Sequence, residues 1–503
     1  MQPAQLRQAI NSSALFNGRQ DLARYGAYEI GNGLMNVGAA WNLLKTNIKT
    51  ANITSSVAVN TLLSGFLATP GVGQGIYDRE GVTVGQSYSR DYTFARTSGG
   101  SKAVTYNVSW VGNDGTFTSA GSISLAANKT VKFVVMVNPT KAGAHSAILN
   151  LDAPTTTGID YQTLNTVVAA DQFTAGNNYT VAKIGTIGHN QTTSFFFNVL
   201  AGTPVFKVDM VAGGTAAGAG QVRFLRFHPY GVSIDSNAST SCYNPDVASC
   251  AGDPTSRTAA NPQAGVWEVT VEARRTSDDA NGAFTLTASI LGASVSPNPD
   301  VIASATIGVP IARSYTLTNL FGAFTGRAVG SNLGSAFKAR PTIANLIQQT
   351  CIVVVEPGST SLTARIGNPS DTAADLDLFV RNAAGATVGQ SADGDSEEAV
   401  TINFPANFAG GTYTIVVDGY AVPKGTTAYD YLDVFANTKF GTVVLTDANA
   451  LRLAGSLWTV SDTVTANAAP AAGRVLLGNV QVRTDGNVLV GSGDVVVQNV
   501  VTP

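Results

Sequence analysis

Short runs of period-two apolar character narrow what this chain can fold into more than any other feature. Residues 101–110 and 132–137 alternate with period two, and Gly112-Asn113-Asp114-Gly115 supplies a turn between them. Such runs suit half-buried pleated strands, because successive strand side chains point to opposite faces. Further short apolar-rich runs at 195–197, 206–208, 223–227, 266–271, 284–286, 375–380 and 413–418 also read as strands. A chain of 503 residues built this way reads as mainly β, with room for about three to four domains.

Composition narrows the function classes. Charged residues make up 13% of the chain and the formal net charge is −3, with no basic run. A nucleic-acid partner, which requires clustered Lys and Arg, is therefore not expected. No run approaches the 18 or so apolar residues of a membrane-spanning helix. Among three cysteines, Cys242 and Cys250 frame a short loop of turn formers. They read as a local disulfide in an oxidising compartment, with two free thiols as the alternative. Cys351 begins the apolar run 351–355 and reads as a buried strand thiol. No CxxC pair is present, which excludes a zinc ribbon.

The start of the chain departs from the strand pattern. Leu6, Ile10 and Ala14 recur every four residues, and Leu34, Val37, Trp41 and Leu44 are spaced three, four and three. Each set marks one apolar helical face. The segment from Gly31 through Leu34-Met35-Asn36-Val37-Gly38-Ala39-Ala40 resembles the end of the catalytic domain of subtilisin-like serine proteases (subtilases), where a "G-x-G-L-V/M-N-V-x-A-A" helix follows an "LRQAL…SA" helix. In that family the Asp, His and Ser of the triad all lie upstream of this pair. The resemblance thus implies that the chain is the C-terminal portion of a secreted subtilase, carrying none of the triad. It further implies protein or peptide substrates, reached through a catalytic domain, and an extracellular location.

Five modules and one link follow from these patterns. Residues 1–50 read as the C-terminal helices of an α/β subtilase catalytic domain. Residues 47–75 read as a Ser/Thr/Gly/Pro-rich link, and 76–165 resemble the fibronectin-III-like sandwich that follows the catalytic domain in large subtilases. Residues 166–295 and 349–437 read as jelly rolls. The run Asp375-Leu376-Asp377-Leu378-Phe379-Val380 resembles the pre-peptidase C-terminal type found behind secreted bacterial peptidases. A fainter repeat pairs Val82-Thr83-Val84-Gly85 and Arg90-Asp91-Tyr92 with Ala305-Thr306-Ile307-Gly308 and Arg313-Ser314-Tyr315. Its closing halves, near Ala142 and Ala472, lie much further apart in the second copy. Segments 300–348 and 438–503 are therefore expected to form a second fibronectin-III-like sandwich split by the jelly roll, since loop tips tolerate insertion, with a linear string of sandwiches as the plain alternative.

Few residues offer chemistry. His145, His189 and His228 lie outside any subtilase-like histidine context and read as structural or solvated. A self-contained triad is not expected. The acidic loop around Asp393, Asp395 and Glu397, with Asp375 and Asp377 in the same segment, is a candidate calcium site. Its bland alternative is a solvated turn, and no other cofactor is expected. The aromatic runs 195–197 and 429–431 read as core alternation before they read as a binding platform. The competing functional reading is a secreted adhesion protein of β sandwiches, with attachment to a cell surface or polymer.

Overall fold

The structure is a computed structural model that describes residues 2–17, 25–46, 48–212, 220–235, 242–244, 255–277 and 281–503. The chain divides into two compact units, Met1–Ile290 and Leu291–Pro503. The architecture is mainly β, as the alternating runs require.

The first unit opens with three helices: α1 (Pro3–Ser13), α2 (Ala27–Ile30) and α3 (Val37–Lys45). A sandwich of two five-stranded sheets follows. One sheet runs in the order 72–73, 53–58, 88–96, 130–137, 117–119, and the other 77–78, 161–169, 143–152, 104–111, 122–125. Residues 53–58, which the sequence suggests as part of a link, are a full strand here: Ile53 to Ser56 pair antiparallel with Arg96 to Thr93. The alternation Ile53, Ser55, Val57 inward and Thr54, Ala58 outward places this strand on the core. Tyr92, Phe94, Phe133 and Val135 from one sheet meet Tyr106, Leu125, Leu149 and Leu151 from the other. Each fully buried side chain of this size contributes about 1.5–3 kcal/mol.

A second sandwich completes the unit. Its sheets run 171–172, 192–199, 265–273, 222–227 and 180–187, 282–291, 205–212, 256–260. Phe197 and Trp267 from the first sheet pack on Phe206 from the second, with centroids 6.3 and 5.3 Å apart. The aromatic run 195–197 is therefore largely core: Phe196 and Phe197 are buried.

In the second unit, strands from both ends of the sequence pair with each other. Ile311–Asn319 lies against Leu457–Ala466, Asp300–Ile302 runs parallel to Leu489–Val497, and Phe324–Gly330 pairs with Val475–Thr484. Between them in sequence lies a four-stranded sheet in the order 348–355, 411–421, 375–381, 387–391. Gly334–Ala339 pairs on one side with 475–484 and on the other with Asp430–Ala436, so one sheet passes from the outer strands into the intervening segment. Tyr429 and Tyr431 are buried in it, which leaves them no role as an exposed platform.

Candidate functional site

The acidic groups come together from two stretches of chain. Asp375–Arg381 is a strand whose Leu376, Leu378 and Val380 are buried, while Asp375 and Asp377 stand half-buried on its other face. The loop 392–398 is tied to the start of that strand. The backbone N–H of Leu376 donates to the Asp395 carbonyl at 3.2 Å, and the Ser396 hydroxyl donates to the Ala374 carbonyl at 2.6 Å. Two Asx turns shape the loop: Asp395 N–H donates to Asp393 Oδ1 at 3.1 Å, and Glu397 N–H to Asp395 Oδ1 at 2.8 Å.

The result gathers Asp393, Asp395 and Glu398, each with a ligating oxygen within 4.8 Å of the others. Glu398, not Glu397, is the glutamate of the cluster. Glu397 is turned away and accepts the Asn368 N–H at 2.7 Å. Strand Ala399–Asn403 begins one residue later, and its period-two twist sends adjacent residues to opposite sides. The sequence run Glu397-Glu398 carries no signal of which side faces in. Glu398 is buried, takes a hydrogen bond from Ser391 and another from the Asp393 N–H at 2.9 Å, and burial holds its carboxyl above the ordinary range. Asp375 is pushed up to about 6, first by burial and then by the charges of Asp377, Asp393, Glu398 and Asp395. Its Oδ1 is buried with no hydrogen-bond partner. Asp377 is raised by burial and by Asp418 and Asp393. Chemically, this is a set of hard oxygen donors under mutual repulsion, which a divalent cation would relieve.

No catalytic triad forms among the described residues. His145 is buried, with Nδ1 facing Asp114 at 2.7 Å and Thr116 at 3.0 Å. Its Nε2 donates to the Lys141 carbonyl at 2.9 Å, so that nitrogen is spent on the backbone and cannot serve a nucleophile. His189 is an exposed turn residue, and His228 packs against Tyr230 and Trp267. Cys242 is disulfide-bonded, and Cys250 lies outside the described residues. Cys351 is free and half-buried, not the fully buried thiol its apolar run suggests, because it sits on a strand at the end of its sheet.

The helices present a second functional feature. α1 and α3 pack through Ala9, Ala40 and Ile48. Asn36 caps α3 by accepting the Ala39 N–H at 3.0 Å. Leu15 and Leu34 exchange backbone hydrogen bonds of 2.9 and 3.0 Å, which closes the pair. Ile10, Leu43 and Leu44 pack against that cluster, while the other large residues face outward: Leu6, Leu34, Met35, Val37 and Trp41 are all exposed, Val37 to 64% and Trp41 to 55%. These include most of the residues that mark the apolar faces in the sequence.

Residues 54–169, which span most of the first sandwich, match the family described as the Ig-like domain in actinomycete serine proteases. Over 417 residues the chain is 25% identical to pyrolysin of Pyrococcus furiosus, covering 79% of this chain and 27% of that protein. The chain thus resembles pyrolysin along most of its length, while spanning about a quarter of it. Among solved structures, tripeptidyl peptidase 2 aligns over 99% of this chain and 44% of its own, at 13% identity and a TM-score of 0.49. The secreted serine protease VesC of Vibrio cholerae aligns over 50% of this chain and 53% of its own, at 12% identity and a TM-score of 0.26. No helix among the described residues is long and apolar enough to cross a membrane.

Proposed function

We propose that this chain is the C-terminal, non-catalytic region of a secreted subtilisin-like serine endopeptidase, and that its β modules stabilise the enzyme and govern substrate access or surface attachment. The observation that carries the reading is the uncovered apolar side of α1 and α3. Met35 just before α3 and Val37 and Trp41 on it are each more than half exposed, and exposed apolar clusters of this kind mark contact surfaces. In this reading the helices complete a catalytic domain, which covers that face and supplies the Asp, His and Ser. The pyrolysin likeness and the protease-type Ig-like domain support it. Residues 349–437 are read as a jelly roll set into a sandwich formed by 300–348 and 438–503. The strand pairs that join the two flanks support this division. The test is the native mass of the secreted protein, detected with an antibody against residues 300–503, together with a casein zymogram of the same band. A band well above 51.8 kDa, active and blocked by a serine-protease inhibitor, is expected. An inactive band near 51.8 kDa would sink the reading and favour a binding protein of β sandwiches.

The acidic cluster is read as a calcium site that fixes the 392–398 loop to its strand. Asp375, Asp393, Asp395 and Glu398 would hold the ion, and the unpartnered, buried Oδ1 of Asp375 is the observation that favours it. Calcium is expected to raise the melting temperature of the wild type and to leave Asp395→Asn unmoved. A wild type whose melting is the same in millimolar calcium and in chelator would rule the site out.

A further inference from the structure

A β-sheet ends in a row of unpaired N–H and C=O groups, and natural proteins guard such edges with charge, shortness, glycine or proline. Among the described residues, three of the strands that stand last in a sheet are longer than five residues: Thr180–Ile187, Val222–Phe227 and Gln348–Val355. The first carries Lys183, paired to Asp171 at 2.7 Å, and Gly185. The second carries Arg223 and Arg226. The third, Gln-Gln-Thr-Cys-Ile-Val-Val-Val, has no charge, no glycine and no proline. Its ladder with Gly411–Ala421 runs without a register shift from Gln348 to Val355, so no bulge twists it away. Glu356 follows the strand but is paired to Lys439.

Along the outer face of this strand polar Gln348 and Thr350 give way to apolar residues that are open to solvent. Ile352 is 72% exposed and Val354 66%. Just before the strand, Leu346 is 73% exposed and takes φ +59°, a left-handed backbone that strains a leucine. Ile347 beside it is half exposed.

We propose that two copies of this chain pair through strand 348–355, antiparallel about a two-fold axis, so that two four-stranded sheets become one. The occupant is a second copy because the edge suits itself. An uncharged strand meets its own image without like-charge repulsion. Antiparallel pairing also sets the apolar start of one edge, Leu346 and Ile347, beside the apolar end of the other, Val354. The contact is isologous and uses the single edge of this kind among the described residues, so it closes at a dimer and builds no fibre. The backbone groups that the 411–421 strand leaves unpaired are satisfied by the partner.

The test is sedimentation equilibrium of the full chain over a concentration series, with hydrogen exchange of the same samples. A mass rising to about twice that of the monomer is expected, with amides of 348–355 exchanging more slowly as concentration rises. Ile352→Lys places a charge on an exposed position, so it should keep the wild-type circular dichroism and melting while remaining a monomer. A wild type that stays monomeric throughout overturns the proposal. So does a dimer that persists in Ile352→Lys with no protection of 348–355. In a third arm, a permanently unfolded protein such as reduced, carboxymethylated lactalbumin is added. If it alone protects these amides on a monomer, the edge belongs to a client strand and the second copy is excluded.

Discussion

Asp78 and Asp300 hold corresponding places in two sandwiches, and each is clasped by an arginine and a tyrosine, the tyrosine preceding the arginine in the first and following it in the second. Arg90 grips buried Asp78 through Nε at 2.9 Å and Nη2 at 3.0 Å, and the Tyr88 hydroxyl donates to it at 2.7 Å. Arg313 grips Asp300 through both nitrogens, and the Tyr315 hydroxyl donates at 2.8 Å. Removing one partner of a buried pair leaves a charge without compensation, so Asp78→Ala is expected to cost about 3–5 kcal/mol in urea unfolding. The two sites differ opposite the arginine. Arg90 faces Val135 across the ladder, whereas Arg313 faces Asp462. Both carboxylate oxygens of Asp462 are buried without a hydrogen bond. Burial, then the charge of Asp300, pushes its carboxyl up to about 6, with Arg313 opposing. A carboxyl raised in the folded state costs stability in full above about 6, and the cost fades as pH falls toward the ordinary 3.8. Asp462→Val should therefore stabilise by about 1–3 kcal/mol in mildly alkaline urea melts, and the gain should shrink in mildly acidic ones. An equal gain at both pH values would show that packing, not charge, sets the effect.

At the scale of elements, the helix pair shows how one backbone position holds an assembly. Gly33 takes φ +92°, and a Cβ there would lie 2.3 Å from the Leu15 carbonyl oxygen that accepts the Leu34 N–H. Gly33→Ala should open this bridge and release α1 from α3, while the sandwich behind keeps its fold. Hydrogen exchange is the measurement: amides of 37–45 should speed up while those of 88–96 stay protected. The same element shows the limit of periodicity. Leu34, Val37 and Trp41 mark a helix by their spacing, and the helix is there. Spacing says that a face is apolar, not what covers it, and here the covering inside the pair comes from Ala9 and Ala40. Residues 53–58 teach the opposite lesson. Their Ser and Thr content suggests a link, yet the positions between them, Ile53 and Val57, are inward-facing on a strand.

At the scale of the molecule, the two compact units predict two separable unfolding transitions in calorimetry, one for 1–290 and one for 291–503. A single transition with equal calorimetric and van't Hoff enthalpies would contradict this. The sequence alone determined the mainly β class, because period-two alternation is a local property that any strand must display. It also determined the apolar helix faces and the resemblance to serine proteases, both carried by contiguous residues. Only the tertiary structure decided which glutamate joins Asp393 and Asp395, since one residue of register moves a side chain to the other face. It alone brought Asp375 to a loop about twenty residues downstream, set Asp462 against Arg313, and left strand 348–355 at the end of its sheet. Those outcomes depend on which strands pair, and pairing is fixed by burial summed over the whole sandwich, not by any run of residues within it.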